Sequence, residues 1–243
     1  MVDFVAGVDG CPAGWISVIH PVGAAQDAEL KFFPHFAEIL DHQPQIQIIA
    51  VDIPIGLSQI ASTGGRTADR LARANLGDRQ SAVFSVPSRS AVACEHYRDA
   101  CEAALQTSDP PRKVSKQTFN LFPKIREVDN LMSPELQNRV FECHPEVAFW
   151  ALNGEVSLAM AKKVKSRPNP PGLQYRVSLL TDAGYSDDLL TSNPFPKSKV
   201  GPDDILDACA AAWSAERILA GTARCFPVQP EYDARGLRME IWG

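Results

Sequence analysis

The sequence predicts an α/β protein with a mixed sheet, in which three antiparallel strands are followed by parallel strands and helices flank the sheet. Three strand-like runs near the start are joined by short links that contain glycine or proline, which favours an antiparallel meander. A later β-branched run, residues 46–53, is too apolar for a half-exposed strand and indicates a buried, parallel one. Segments with helical periodicity follow, and residues 202–221 form the clearest of them.

The first two predicted strands, residues 4–8 and 15–20, meet in a hairpin, and the third covers residues 30–33. The link has the sequence GVDGCPAGW, in which glycine and proline supply the dihedral angles of a turn. Asp9 ends the first strand. Aspartate at this position is either a turn former, since its side chain bonds turn backbone, or a reactive group.

A short helix and a buried strand are predicted next. Residues 35–42 have apolar side chains at helical spacing, and Pro44 ends the helix. The strand at residues 46–53 contains a second acidic residue, Asp52, at its end. Two predicted strands therefore terminate in a carboxylate.

A mainly helical insertion is predicted at about residues 58–135, with helices at residues 66–79 and 91–105. Residues 116–130 mix aromatic and charged residues without clean periodicity. The basic side chains here form either a solvated face or a set of contacts to an anionic ligand. These candidates are Arg66, Arg70, Arg73, Arg79, Arg89 and Lys124.

The second half begins with a strand at residues 139–143, which runs into His144, Pro145 and Glu146. The other predicted elements are helices at residues 155–167, 174–183 and 202–221, a loop at 166–172 and an edge strand at 237–242. Asp204 and Asp207 share one face of the last helix. Acids in a first turn are stabilised by the helix dipole, but Asp207 lies deeper, beside alanines, where a carboxylate needs a partner.

Chain length, net charge and cysteine content limit the class of protein. A chain of 243 residues is predicted to form one domain, residues 1–243, that carries the helical insertion. A net charge of −5 argues against a general nucleic-acid coat protein. The six cysteines form no CxxC pair, and neither a signal peptide nor a membrane-spanning run is evident, so a reducing, cytoplasmic location is expected.

The acidic residues are expected to meet. Carboxylates at the ends of adjacent parallel strands converge at one edge of an α/β sheet, and the helix at residues 202–221 can present Asp204 and Asp207 to the same point as Asp9 and Asp52. Such a cluster stays ionised only with cations in it, and hard oxygen ligands select Mg²⁺ or Mn²⁺. Two such ions would support phosphoryl transfer or hydrolysis.

This order of elements resembles the RNase H-like superfamily, and Asp204-Ile-Leu-Asp207-Ala resembles the late helix of RuvC-type Holliday-junction resolvases. More closely, the motifs GVDGCPAGW, VDIPIGL, RTADRLAR, PKIREVD, HPE and DDILDA together are similar to domain-of-unknown-function family 429, described as predicted nucleases with an RNase H-like fold. The resemblance covers most of the chain. It implies a two-metal nuclease with a nucleic-acid substrate of unknown type.

The resemblance implies roles for individual residues. Asp9 and Asp52 match the first two metal-binding carboxylates, and Asp204 and Asp207 match the late ones. Glu146 is a further ligand or orients one, with His144 as a proton-transfer or leaving-group partner. The basic residues of the insertion are phosphate contacts if they line the same cleft; otherwise Arg66 and Arg70 pair with acids such as Asp69. Glu38 is expected to be exposed rather than part of the site.

Two alternatives stay open at this point. The first is an ATP-dependent phosphotransferase of the actin-like superfamily, although that fold needs two such domains and glycine-rich phosphate loops. The second is a catalytically inactive nucleic-acid-binding module. The sequence predicts no membrane partner, and it leaves the oligomeric state undecided, with a dimer compatible.

Overall fold

The computed structural model describes residues 2–165 and 167–243. The strands are β1 (Phe4–Cys11), β2 (Gly14–Pro21), β3 (Glu29–Phe33), β4 (Ile46–Val51), β5 (Ala61–Ser62), β6 (Ser108–Asp109), β7 (Val140–Glu142), β8 (Lys163–Val164), β9 (Arg167–Pro168), β10 (Cys225–Tyr232) and β11 (Arg238–Trp242). The helices are α1 (Phe36–Leu40), α2 (Thr67–Ala74), α3 (Arg89–Val92), α4 (Tyr97–Gln106), α5 (Lys116–Phe119), α6 (Phe122–Leu131), α7 (Pro145–Leu152), α8 (Pro170–Asp182), α9 (Asp187–Thr191) and α10 (Pro202–Leu219).

A five-stranded mixed sheet in the order β3-β2-β1-β4-β7 forms the centre of the fold. Strands β1, β2 and β3 are antiparallel neighbours, whereas β4 pairs in parallel with both β1 and β7. Helices cover the sheet, and β4 is buried because apolar side chains meet it from both faces. The predicted mixed α/β sheet is confirmed.

Helix α10 lies directly against β1 because both surfaces are small at the crossing. A Cβ atom added to Gly7 would stand 2.0 Å from Ala208 O and 2.0 Å from Ala212 N. Ala208, Ala211 and Ala212 are fully buried at this contact. Glycine on the strand and alanine on the helix therefore hold the first turns of α10 close to the end of β1.

The segment 58–135 is mainly helical and contains α2 to α6, with a short parallel pair β5–β6. The predicted helix at residues 91–105 is in fact two helices, α3 and α4, and residues 116–130 form α5 and α6 where no helix was expected. None of the helices in the described chain combines the length and apolar character needed to cross a membrane.

The second half differs from the prediction in several places. The predicted helix at residues 155–167 is absent: residues 155–161 are not helical, and β8 and β9 form a small hairpin after them. Ser166, which belongs to that predicted helix and to the predicted loop at 166–172, lies outside the described residues. Helix α7 was not predicted, because its apolar residues surround the axis and leave no 3.6-residue stripe. Strand β10 pairs with β11, and Trp242 bridges to Cys143 beside the central sheet.

Candidate functional site at the carboxyl edge of the sheet

Asp9, Asp52 and His144 lie where the parallel pairing of β1, β4 and β7 ends. Val8 and Val51 are register partners, and Asp52 N donates to Val8 O at 3.0 Å. On the other side of β4, Cys143 N donates to Val51 O at 2.9 Å, which places His144 at the same edge. The parallel pairing of these strands therefore brings together side chains that are distant in the sequence.

Helix α10 adds two further carboxylates from its first turns. Asp204 accepts a hydrogen bond from Gly201 N at 2.7 Å, so it caps the helix as well as facing the acidic edge. Asp207 is 2% exposed, and one of its oxygens, Oδ1, is buried without a hydrogen-bond partner. An unpaired buried carboxylate oxygen is costly, which marks Asp207 as a residue with a further ligand to accept.

Electrostatic coupling shows that the four carboxylates share one site. Burial raises the pKa of Asp9 well above its ordinary value, and repulsion from Asp207, Asp52 and Asp204 raises it further. Burial also raises the pKa of Asp52 to about 7, and the pKa values of Asp204 and Asp207 to about 6. Asp9, Asp52, Asp204 and Asp207 therefore lie close enough to influence one another's ionisation.

Lys162, which precedes β8, forms a salt bridge with Asp207. Its side chain is 25% exposed, and its ammonium also lies 4.0 Å from Asp203, which pairs with Lys163 at 2.6 Å. The positive charge of Lys162 lowers the pKa of Asp9, Asp52 and Asp207 against the effect of burial. A resident lysine thus supplies part of the positive charge that the cluster needs.

Glu146 and His144 both belong to the start of α7. Glu146 accepts a charge-assisted hydrogen bond from the fully buried Arg176 at 2.6 Å, and its second oxygen, Oε2, is buried without a partner. His144 Nδ1 accepts from Glu146 N at 3.2 Å, so its Nε2 carries the hydrogen and faces Ala82 O at 3.3 Å. Burial lowers the pKa of His144, which keeps the ring neutral.

Two adjoining cavities open over these side chains. One of about 330 Å³ is lined by residues that include Asp9, Asp52 and Lys124. The other, of about 370 Å³, is lined by residues that include Asp52, Arg79, Glu146 and Lys162. The two cavities share Asp52, Ser81, Ala82, Gln117 and His144, and together they are called the acidic groove below.

Lys124 and Arg79 are the two predicted phosphate contacts that line the acidic groove. Lys124 donates to Gly14 O and stands 4.4 Å from the centroid of the Trp15 ring. Burial lowers its pKa, while Asp9 is among the acids that raise it. Arg79 lines the groove, and its Nε is buried without a hydrogen-bond partner.

Arg66, by contrast, is a structural residue. Its side chain is buried, donates to Glu142 at 2.5 and 2.8 Å and to Asp69 at 2.8 and 3.0 Å, and also donates to Ile55 O at 2.8 Å. The prediction of a phosphate contact at Arg66 is wrong, and pairing with Asp69, the alternative, is confirmed. The network holds the loop that follows Asp52.

Three other basic residues do not line the acidic groove. Arg70 and Arg73 donate to loop carbonyls within the insertion. Arg89 forms salt bridges with Asp129 and Asp233, so its charge is already balanced. The predicted contacts of Arg70, Arg73 and Arg89 with a phosphate at the carboxylates are therefore corrected: these side chains organise the insertion.

The donor chemistry of the site fits Mg²⁺ or Mn²⁺, since Asp9, Asp52 and Glu146 present carboxylates to the acidic groove, and one carboxylate oxygen each of Glu146 and of the neighbouring Asp207 has no hydrogen-bond partner. Residues 2–165 and 167–243 contain no group of three His, Cys, Asp or Glu side chains already arranged around a metal position. The other oxygen of Asp207 is occupied by the salt bridge with Lys162. The residues that could hold an ion are Asp9, Asp52, Asp204 and Asp207.

Several site residues were missed by sequence reasoning. Lys162 and Lys163 fell within a predicted helix, and Gln117 in a segment without periodicity. Arg176 was assigned only to a helix, although it fixes Glu146. No local signal identified them, because their proximity to the acids is created only by the tertiary fold.

The fold and the site define a mixed α/β protein with an acidic site at the carboxyl edge of a five-stranded sheet. A family described as "Protein of unknown function (DUF429)" matches residues 7–232, and the chain belongs to this family. The match includes β1, β4, α7 and α10, the elements that carry the acidic cluster. No significant match was found among curated proteins or among solved structures.

Proposed function

We propose that this protein is a metal-dependent nuclease with an RNase H-like fold, which hydrolyses phosphodiester bonds of nucleic acid in the acidic groove. The fold assignment is supported by the sheet order, in which three antiparallel strands are followed by two parallel ones, and by the late helix that crosses β1. The observation that carries the activity is the mutual repulsion of Asp9, Asp52 and Asp207 beside unpaired polar atoms. Such a cluster either takes up protons or gains from a bound cation, and a divalent ion would relieve the repulsion once the carboxylates are ionised.

The residues of the cluster carry more negative charge than the nearest lysines offset. Asp9, Asp52, Asp204 and Asp207 carry four negative charges when ionised, and Lys162 and Lys124 lie beside them. The resemblance implies that two divalent ions would bind here. Bound Mg²⁺ or Mn²⁺ supplies activation of water and stabilisation of the leaving oxygen.

The chain's own residues perform the other tasks of the reaction. Lys124 and Arg79 lie on opposite sides of Asp52 in the groove, where ammonium and guanidinium donors would hold phosphate oxygens. His144, which burial keeps neutral, would offer its Nε2–H, now facing Ala82 O, as a hydrogen-bond donor to a substrate oxygen without transferring the proton. Arg176 positions Glu146 so that its free oxygen stays directed at the site.

The salt bridge between Lys162 and Asp207 favours a second candidate, a module that binds nucleic acid without cleaving it. In that case the lysine replaces the metal ion, and the groove holds phosphates by its basic residues alone. Both candidate functions predict that nucleic acid binds in the groove. They differ in whether the bound nucleic acid is cleaved.

The proposal is tested by cleavage of labelled single-stranded, duplex and branched DNA and RNA with Mn²⁺, Mg²⁺ or EDTA. Cleavage is expected with either ion and not with EDTA, and Asp52→Asn should abolish it. Asp182→Asn, at an exposed position at the end of α8, is the matched control and should retain full activity. Binding without cleavage by the wild-type protein would favour the second candidate, and metal-independent cleavage would refute both.

A further inference from the structure

We propose that a basic pocket in the helical insertion binds a phosphate of the nucleic-acid chain next to the one held at the carboxylates, an inference that rests on the proposed function. The basic pocket is a cavity of about 180 Å³ between residues 85–88, the end of α4 and the loop at residues 112–118. It is separate from the acidic groove, and none of the residues predicted from the sequence to contact phosphate lines it.

The pocket carries positive charge that no acid balances. Arg112 and Lys113 line it, and neither forms an ion pair within the described part of the chain. The guanidinium of Arg112 donates to a backbone carbonyl, Ser62 O, and Lys113 is exposed. Two unpaired cations beside one cavity favour an anionic ligand.

A third cation strengthens this field. Arg73 donates to Ser85 Oγ at 3.2 Å, and Ser85 lines the pocket. Burial lowers the pKa of Arg73, and the charges of Arg70 and Arg112 lower it further. Asp69 opposes them, but its carboxylate is already engaged by Arg66. The guanidinium groups therefore repel one another, and a bound anion would relieve that repulsion.

The walls of the pocket match a nucleotide unit better than a simple ion. Buried apolar side chains, Val86, Ala104 and Val114, form part of the lining and suit the apolar faces of a sugar or base. Ser88, Thr107 and Ser108 use their hydroxyl hydrogens within the protein, whereas Ser85 and one hydroxyl of the Ser115–Thr118 pair keep a hydrogen to donate to a ligand. Phosphate oxygens accept hydrogen bonds from hydroxyl and cationic donors of this kind.

The pocket adjoins the acidic groove through α5. Ser115 and Thr118 line both the basic pocket and the cavity that contains Asp9 and Asp52. A strand whose scissile phosphate lies at the carboxylates would therefore pass this wall and place a neighbouring phosphate at Arg112. The pocket would thereby orient the strand relative to the bond that is cleaved.

The test measures the affinity for a labelled single-stranded octanucleotide in the presence of EDTA. Fluorescence anisotropy reports binding, and the titration is repeated over a range of salt concentrations. The double variant Arg112→Gln/Lys113→Gln is expected to weaken binding at least tenfold and to lower the salt slope by about 1.4, since each phosphate contact on a single strand contributes about 0.7. Arg112→Lys/Lys113→Arg should retain most of the affinity. Arg98→Gln, at an 89% exposed position on α4, is the matched control and should leave binding unchanged.

Inorganic phosphate, used as a competitor, distinguishes a nucleic-acid subsite from a site for free phosphate. If free phosphate binds the wild-type protein while octanucleotide binding is unchanged in the double variant, the nucleic-acid assignment is overturned. It is also overturned if the wild-type protein does not bind the octanucleotide, or if Arg98→Gln weakens binding equally. If the double variant binds more weakly but the wild-type protein cleaves no nucleic acid, the proposed phosphate pocket is supported and the proposed nuclease activity is rejected.

Discussion

Lys162, on the chain that enters a small β-hairpin, faces Asp207 on α10 and forms a salt bridge with it. The hairpin therefore delivers a cation to the most buried acid of the α10 pair. The site therefore differs from a cluster made only of carboxylates, because a lysine already neutralises one of its acids.

Replacing Lys162 by methionine should destabilise the metal-free protein by about 2 kcal/mol at pH 8, because Asp207 loses a charged hydrogen bond. Urea denaturation measures this, and Mn²⁺ titration followed by electron paramagnetic resonance should show tighter or additional ion binding. Lys197→Met, at an exposed position, is the control. Equal stability and Mn²⁺ affinity in both variants would contradict a role for Lys162 at the cluster.

The stability of the metal-free protein should decrease as pH rises from 5 to 8. The pKa of Asp52 is about 7 in the folded protein and near 4 when unfolded, so between these values the folded state binds more protons and loses stability as they dissociate. The effect is on the order of 2 kcal/mol, and Asp52→Asn should reduce it. Activity should change in the opposite direction and rise through about pH 7, because an ion needs the ionised carboxylate.

Mn²⁺ should raise the melting temperature more at pH 8 than at pH 5. An ion that binds only the folded protein stabilises it by mass action, and protonated carboxylates compete with the ion at low pH. Differential scanning fluorimetry with and without EDTA measures the shift. A shift of the same size in Asp52→Asn would locate the ion elsewhere.

Substitution of Arg66 and of Arg79 should have different consequences. Arg66→Gln leaves Glu142 and Asp69 buried without their partner and should cost about 3–5 kcal/mol in the free energy of unfolding. Arg79→Gln should leave stability within about 0.5 kcal/mol and raise KM for an oligonucleotide several-fold. Urea denaturation and cleavage kinetics on both variants decide whether these roles are assigned correctly.

The central sheet was predictable because its signals are local. The β-branched run that forms β4 and the glycine-bearing hairpin between β1 and β2 are visible in the sequence, and the acids at their ends follow from parallel pairing. Asp204 and Asp207 were located by helical spacing. The acidic cluster could therefore be predicted before any contact was known.

The rest depended on tertiary contacts that no spacing reveals. Arg66, Arg70 and Arg73 have helical spacing, but α2 begins at Thr67, and Arg66, which precedes it, turns into the interior. Helix α7 is buried all round, so it lacks an amphipathic pattern. The positions of Lys162 and Arg112 depend on how the β8–β9 hairpin and the insertion pack against the rest of the fold. No local sequence pattern predicts that packing.

The close seating of α10 on Gly7 has a consequence for how the protein would evolve. Because Gly7 lets α10 pack directly on β1, Asp204 and Asp207 lie near Asp9, and repulsion among these carboxylates opposes folding when they are ionised. Selection for heat resistance alone should then enrich neutral replacements of these acids. The most stable variants from such a selection would then lack the carboxylates that the proposed metal site needs.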